Sequence, residues 1–350
     1  MTGVQTCALP ISNLIAFSDK KTAEEFKTSR GGEIMDFTQA LLSISPMGQT
    51  NPTRIPPAVL PPGGAFGVGM SYMYMVMDQV KLGSDSVDPD DFIKRPGQKK
   101  GPKKMTSSGE MLMVNYGILD NLTLGMSASY LDKKMESFIN SGAATMTTEN
   151  SGFGDIPITL RYNVWRNPYY SKFFSILAGI SLPTGEFDEK FVEMPGLQLG
   201  TGALTTTGGL LFSHRYKSLW FHYLASYRAV FENSDEYKFG DTLSAGAALH
   251  YTPNYNTLVG IELDASYTEK DEFHGDKLGS SGGYRSNLTA VVDWRFLTAL
   301  GGNFSLRFTG GIPLYEDLNH FSVGMMEKAK LGGGYYIQAQ INFRTRFLQN

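Results

Sequence analysis

The sequence predicts an all-β fold, a transmembrane antiparallel β-barrel of about twelve strands with a short α/β remnant ahead of it. Three observations carry this. From Phe66 to Val80 (FGVGMSYMYMVMDQV) two faces alternate: Phe66, Val68, Met70, Tyr72, Tyr74 and Val76 share one parity, and Gly67, Gly69, Ser71, Met73, Met75, Met77 and Gln79 share the other. Only a strand separates residues in this way. The plan recurs in segments near 109–119, 121–131, 154–164, 173–182, 202–213, 219–230, 242–251, 257–267, 284–296, 304–314 and 331–347. Most are close to the length a tilted strand needs to cross a bilayer. Finally, short connections (120, 166–171, 214–218, 252–256 and 297–303) alternate with longer ones rich in charge and glycine. A sandwich has no reason to keep that order, whereas an outer-membrane barrel does.

Composition agrees. No apolar run approaches the roughly twenty residues of a membrane-spanning helix, and mean hydropathy is −0.19. Yet 12% of residues are aromatic and 39 are glycine, which favours a barrel over an α/β enzyme. The formal charge of −3 argues against nucleic acid as a partner, because neutralising phosphates needs an excess of Lys and Arg on one surface.

Residues 1–12, MTGVQTCALPIS, contain the single cysteine, Cys7. They resemble the translation of a sequencing adapter, one frame of which reads VTGVQTCALPI, and form a poor signal peptide, without a basic start or a sufficient apolar stretch. The expectation is a truncated chain whose signal sequence lay upstream. Residues 13–45 read differently: an apolar strand over 14–17, a helix starting at Ser18-Asp19, carrying Ala23 and Phe26 and ending at Gly31-Gly32, then a strand over 33–37 and a helix over 38–44. The AFSD start, AEEF helix and GGE turn resemble the C-terminal end of the copper-accessory lipoprotein family that serves nitrous oxide reductase. That family's metal motif would lie upstream, so no ligand carries over. Residues 46–64, PMGQTNPTRIPPAVLPPGG, cannot sustain a helix or a central strand and are expected to be a proline-rich linker. Residues 65–350 form the barrel domain.

Within the strands, Leu219, Phe221, Tyr223, Ala225 and Tyr227 share a consistently apolar outward parity, as do Thr257, Val259, Ile261, Leu263, Ala265 and Tyr267. The opposite parity holds Asp155, Arg161, His222, Arg228, His250, Glu262, Asp264, Arg285, Asp293, Arg295, Arg307 and Arg344. Charges are costly in lipid, so these twelve are assigned to a wet lumen. They show no nucleophile-elbow or HExxH spacing, and no enzyme is expected.

The segments GFGDIPITLRYNV (152–164), SILAGISLPTGEFDE (175–189) and LQLGTGALTTTGGLLFS (197–213) resemble the outer-membrane protein family named after the meta-pathway of phenol degradation. The resemblance spans most of 66–347 and implies a barrel that passes small molecules. The chain departs from the family's pattern in a Met-rich first hairpin and in its end at Phe347-Leu348-Gln349-Asn350, where barrels usually finish on an aromatic residue.

The hairpin is the sharpest local signal. Met73, Met75 and Met77 share inward parity on the first strand, as do Met111 and Met113 on the second. Thioethers suit Cu(I); the bland alternative is that they are flexible filler of the inner wall. Three classes of function stay open: a channel for a small solute of hydrophobic or aromatic character, a copper-linked porter with Cu(I) as bound or transported ion, and a structural barrel without transport. No cofactor is expected otherwise. The implied partners are outer-membrane lipid, a small-molecule or metal solute and the barrel-assembly machinery, and the implied location is the bacterial outer membrane.

Overall fold

The computed structural model describes residues 17, 19–30, 34, 52–167, 171–254, 256–300, 302–323 and 326–345. Twelve long strands close on themselves: β1 (Phe66–Met77), β2 (Gly101–Leu119), β3 (Leu122–Ile139), β4 (Ile156–Arg166), β5 (Lys172–Leu182), β6 (Thr205–Tyr216), β7 (Leu219–Val230), β8 (Thr242–Asn254), β9 (Thr257–Thr268), β10 (Gly283–Ala299), β11 (Gly302–Leu318) and β12 (Tyr335–Thr345). All pairings are antiparallel between sequence neighbours, and β1 closes the wall by pairing with both β2 (Met70↔Leu112) and β12 (Met70↔Ile341). A closed ring leaves no unpaired backbone edge facing lipid. The strand Ala144–Phe153 pairs with the far half of β3, and β4 takes over the near half after a break at Gly154-Asp155.

The alternation behaves as an outer-wall signature should. Met70, Tyr72, Leu112, Met126, Tyr223, Tyr227, Ile261, Leu263 and Tyr267 are each 40% exposed or more, an apolar surface of a size that water does not tolerate. Strand β7 has the predicted bounds to the residue. The main departure is that β2 begins at Gly101 and β3 runs to Ile139, so Lys103 and Lys104 lie on a strand rather than in a loop. PKKMTSSG carries no apolar alternation to reveal it, because periodicity marks a strand only where one face meets lipid or core.

The short turns gather at one end of the barrel, with the start of β1 and the end of β12. The long connections gather at the other. There they fold on themselves: Val80, Phe92, Met105, Phe191, Leu197 and Leu331 form a closed apolar cluster, with Met77, Met135 and Met194 packed against it. Tyr237 is buried in a second loop cluster, where its hydroxyl donates to Asp271 at 2.9 Å. Burial, with Asp271 beside it, pushes that phenol well above its usual range, so it remains a donor.

The proline-rich stretch is not a free linker in its described part. Residues 52–64 run inside the barrel, from the level of Glu262 to the short-turn end, where Gly64 N donates to Gly117 O at 2.7 Å. Ile55 and Ala58 are 0% exposed, Val59 3% and Leu60 8%. Prolines hold such a chain extended and remove N–H groups that would otherwise need partners away from water. Of the remnant, the helix is present as Lys20–Arg30, with Asp19 accepting from Thr22 N at 2.8 Å and Phe17 packed 5.3 Å from Phe26. Residues 1–16, the elements expected over 33–37 and 38–44 apart from position 34, and 346–350 lie outside the described residues.

Candidate functional site: the occupied lumen

Inward parity places the predicted polar residues on the lumen side, but the expectation of a wet wall needs correcting. Arg161 (9% exposed), His222, His250, Glu262 and Asp293 (0% each), Arg295 (5%) and Arg307 (3%) are buried. The chain's own segment 52–64 bonds directly to two of them, Arg161 and Glu262. Glu262, on β9, accepts from Thr53 N (2.8 and 3.0 Å to its two oxygens) and from Arg54 N (2.8 Å). Asp264, two residues along on the same face, takes the Arg54 guanidinium in a fork, 3.1 and 3.2 Å, while Asn287 donates to it at 2.8 Å. Paired charges and satisfied amides are what make such burial tolerable.

Further along, Ile55 fits a notch that exists because residue 246 is glycine, since a Cβ there would stand 2.8 Å from Ile55 Cδ1. Ala58 is held on both sides. Its N–H donates to Ser213 Oγ at 3.0 Å, and its carbonyl accepts from Ser175 Oγ at 2.7 Å and Asn163 Nδ2 at 3.4 Å. Ser213 Oγ, which accepts from Ala58 N, also hydrogen-bonds with His222 Nδ1, 2.8 Å away. His250 Nε2 lies 3.3 Å from Glu262 Oε1, with its ring 5.3 Å from that of His222. Arg161 donates to Pro57 O at 3.2 Å and to Asn115 Oδ1 at 3.5 Å. Val59 and Ala58 complete an apolar cluster with Phe173, Leu177, Leu211 and Trp220. Serines and asparagines at inward parity were visible in the sequence, but what they hold was not.

The remaining predicted residues divide by height. Asp293 and Arg307 pair in two contacts, 2.9 and 2.8 Å. Arg295 and Arg344 face inward at neighbouring register positions, opposite Ser305 and Asn303. At the long-loop end, Arg285 donates to Glu316 at 2.7 Å. Asp155 ties down the 183–204 connection by accepting from Gly185 N (3.0 Å), Thr201 N (2.9 Å) and Thr201 Oγ1 (2.9 Å). Arg228 alone of the twelve is exposed while pointing inward.

The methionines face inward as expected, though β1 and β2 are adjacent strands joined by a 23-residue excursion rather than a tight hairpin. Met73 stands opposite Gly109, Met75 opposite Ser107, Met111 opposite Ser71 and Met113 opposite Gly69. Met73 and Met111 are therefore diagonal neighbours, and Met77 is drawn instead toward Met105, its direct partner, in the apolar loop cluster. Among the described residues no group of three or more His, Cys, Asp or Glu is placed to hold a metal ion.

A family model described as putative MetA-pathway of phenol degradation matches residues 107–312, more than half of the chain. The chain belongs to this family. It is also similar in structure to the COG4313 outer membrane channel from Pseudomonas putida F1, with a TM-score of 0.60 at 16% identity, covering 82% of this chain and 97% of that one. A looser likeness, TM-score 0.43 at 9% identity over 88% and 96% of the two chains, links it to the transport unit of the autotransporter AIDA-I from Escherichia coli. The first of these shows the fold, a closed outer-membrane type of barrel. No curated protein matches the family member described here.

Proposed function

We propose that the protein is a channel of the bacterial outer membrane that passes a small, largely apolar solute, with residues 52–64 as the part that narrows it. The carrying observation is the closed twelve-strand wall, apolar outside, whose lumen is lined by polar side chains yet filled along one arc by the chain itself. A barrel evolved only as a scaffold would need no inward polar ladder matched to a stretch of its own chain. The family's description as part of phenol degradation and the channel described for the similar Pseudomonas putida structure support transport over enzymatic chemistry. In this reading the short turns face the periplasm, the long loops face outward, lipid covers the outer wall, and assembly machinery inserts the barrel.

The test is the initial rate at which a radiolabelled monocyclic aromatic enters cells with intact lipopolysaccharide. The rate rises when the protein is expressed. Equal rates with and without it, at verified surface levels, would remove the reading. A copper-linked porter is the second reading, favoured by the diagonal adjacency of Met73 and Met111. Cu(I) binding that is lost when Met73, Met75, Met77, Met111 and Met113 become leucine, and kept when Met70 and Met126 do, would support it.

A further inference from the structure

Between its two ends, the lodged segment leans on one side of the lumen only. Ile55, Pro57, Ala58 and Val59 contact β4 to β8. The facing arc, made by β1, β2, β3 and β12, presents Met73, Met111, Met113, Ser127, Ser129 and Gln338, all half-buried rather than closed over. Its inward positions from 67 to 77, 109 to 117 and 123 to 131 contain no charged residue. The charges on these four strands stand at the ends of that stretch: Arg344 of β12 opposite Gly67 at the short-turn end, and Lys133 of β3 at the long-loop end, where it donates to Gln198 O. At mid-height the lumen thus has a charged, filled side and, on β1 to β3, an uncharged side that is only half-buried.

The register arranges that neutral side as a track. Met111 stands opposite Ser71 on one neighbour and Ser129 on the other, and Met113 opposite Gly69 and Ser127. Met73 stands between Gly109 and Gln338, so the neighbours of the three thioethers across the register are glycine, serine and one glutamine. The track ends at an amide collar: Gln340 donates to Asn342, Asn342 donates to Ser305 Oγ at 3.4 Å, and a Cβ on Gly69 would stand 2.8 Å from Asn342 Oδ1 and 3.3 Å from Met113 Cε.

We propose that Met73, Met111 and Met113 form a binding track for an uncharged solute bearing an aromatic ring. Thioether sulfur meets ring edges favourably and adapts to varied shapes, and a neutral wall avoids desolvating charge for an apolar guest. The serine hydroxyls and the Gln338 amide can take one polar substituent. This rests on the channel reading for its biological meaning, but its test needs no passage.

The probe is toluene, titrated into the refolded full chain in detergent with methionine methyl groups labelled with carbon-13. The methyl resonances of Met73, Met111 and Met113 should shift and saturate. Those of Met70 and Met126, which are 56% and 48% exposed on the outer wall, should drift linearly as toluene partitions into the micelle. Met111→Gln should weaken the saturable response at Met73 and Met113 about two- to tenfold, with Met73→Gln as the replacement if that variant does not refold. Linear drift at all five methyls, or saturation indifferent to both substitutions, would overturn the proposal. A barrel that saturates but never conducts keeps the track and loses the channel reading. One that conducts while its inner methyls only drift loses the track.

Discussion

Replacing Glu262 by glutamine tests what holds the lodged segment. The carboxylate accepts three contacts from two backbone N–H groups, at 2.8 to 3.0 Å, in a fully buried position. Glutamine keeps the shape but turns an NH₂ group toward Thr53 or Arg54 N–H and removes the charge. Each charge-assisted bond is worth about 1.5–3 kcal/mol, and a buried donor left unpaired costs about 1–3 kcal/mol. With Arg54 still forked on Asp264, the net loss is about 2–4 kcal/mol, which shifts the docked-to-released ratio about 30- to 700-fold. Single-barrel recordings in planar bilayers read this as more frequent or longer wide-open events. The barrel should keep its folded mobility on unheated gels, because no wall-to-wall backbone bond is touched. Open-event frequency within about twofold of the parent, in a variant shown to be folded, would refute the account of Glu262 as the segment's anchor.

Other consequences are as direct. Ile261→Arg, at a position 50% exposed on the outer wall, should cost about 2–4 kcal/mol of membrane stability, and Ser244→Arg, at inward parity on the strand beside exposed Arg228, much less; equal folding yields in vesicles would reverse the face assignment. Asp155→Ala removes all three contacts that pin the 183–204 connection, so protease should cut that loop about tenfold faster on the folded barrel, consistent with losing at least one charge-assisted bond. Cysteines at Lys100, Glu186 and Asp276 should react with an impermeant reagent on intact cells, and cysteines at Asn167 and Asn254 should not; the opposite pattern would invert the orientation.

Strand positions and wall faces were legible because the bilayer imposes one requirement on every strand, an apolar outer parity, and the sequence meets it twelve times. The far halves of β2 and β3 escaped because PKKMTSSG and DKKMESFI stand clear of that requirement. The lumen was legible only in kind. Parity put Glu262, His222 and Arg161 inside, but nothing in a strand's own pattern reports what lies against its inner face. Residues 52–64 read as a linker because prolines exclude helix and central strand; the same property suits an extended segment threaded through a barrel. Ile55, Val59 and Leu60, which an exposed linker has no use for, were the available hint. Met105 was passed over for a related reason, since its role depends on Met77 meeting it across the register and on loops closing over both.

The central claim is that a conducting barrel is narrowed by its own residues 52–64, and the most direct measurement is the conductance of the chain with residues 52–61 deleted, beside the intact chain in the same bilayer. Both should fold, since every wall pairing lies outside the deletion. The account predicts a steady conductance several-fold above that of the intact chain, with the residual gating of the Glu262→Gln variant abolished. A folded deletion variant whose conductance equals that of the intact chain would contradict it.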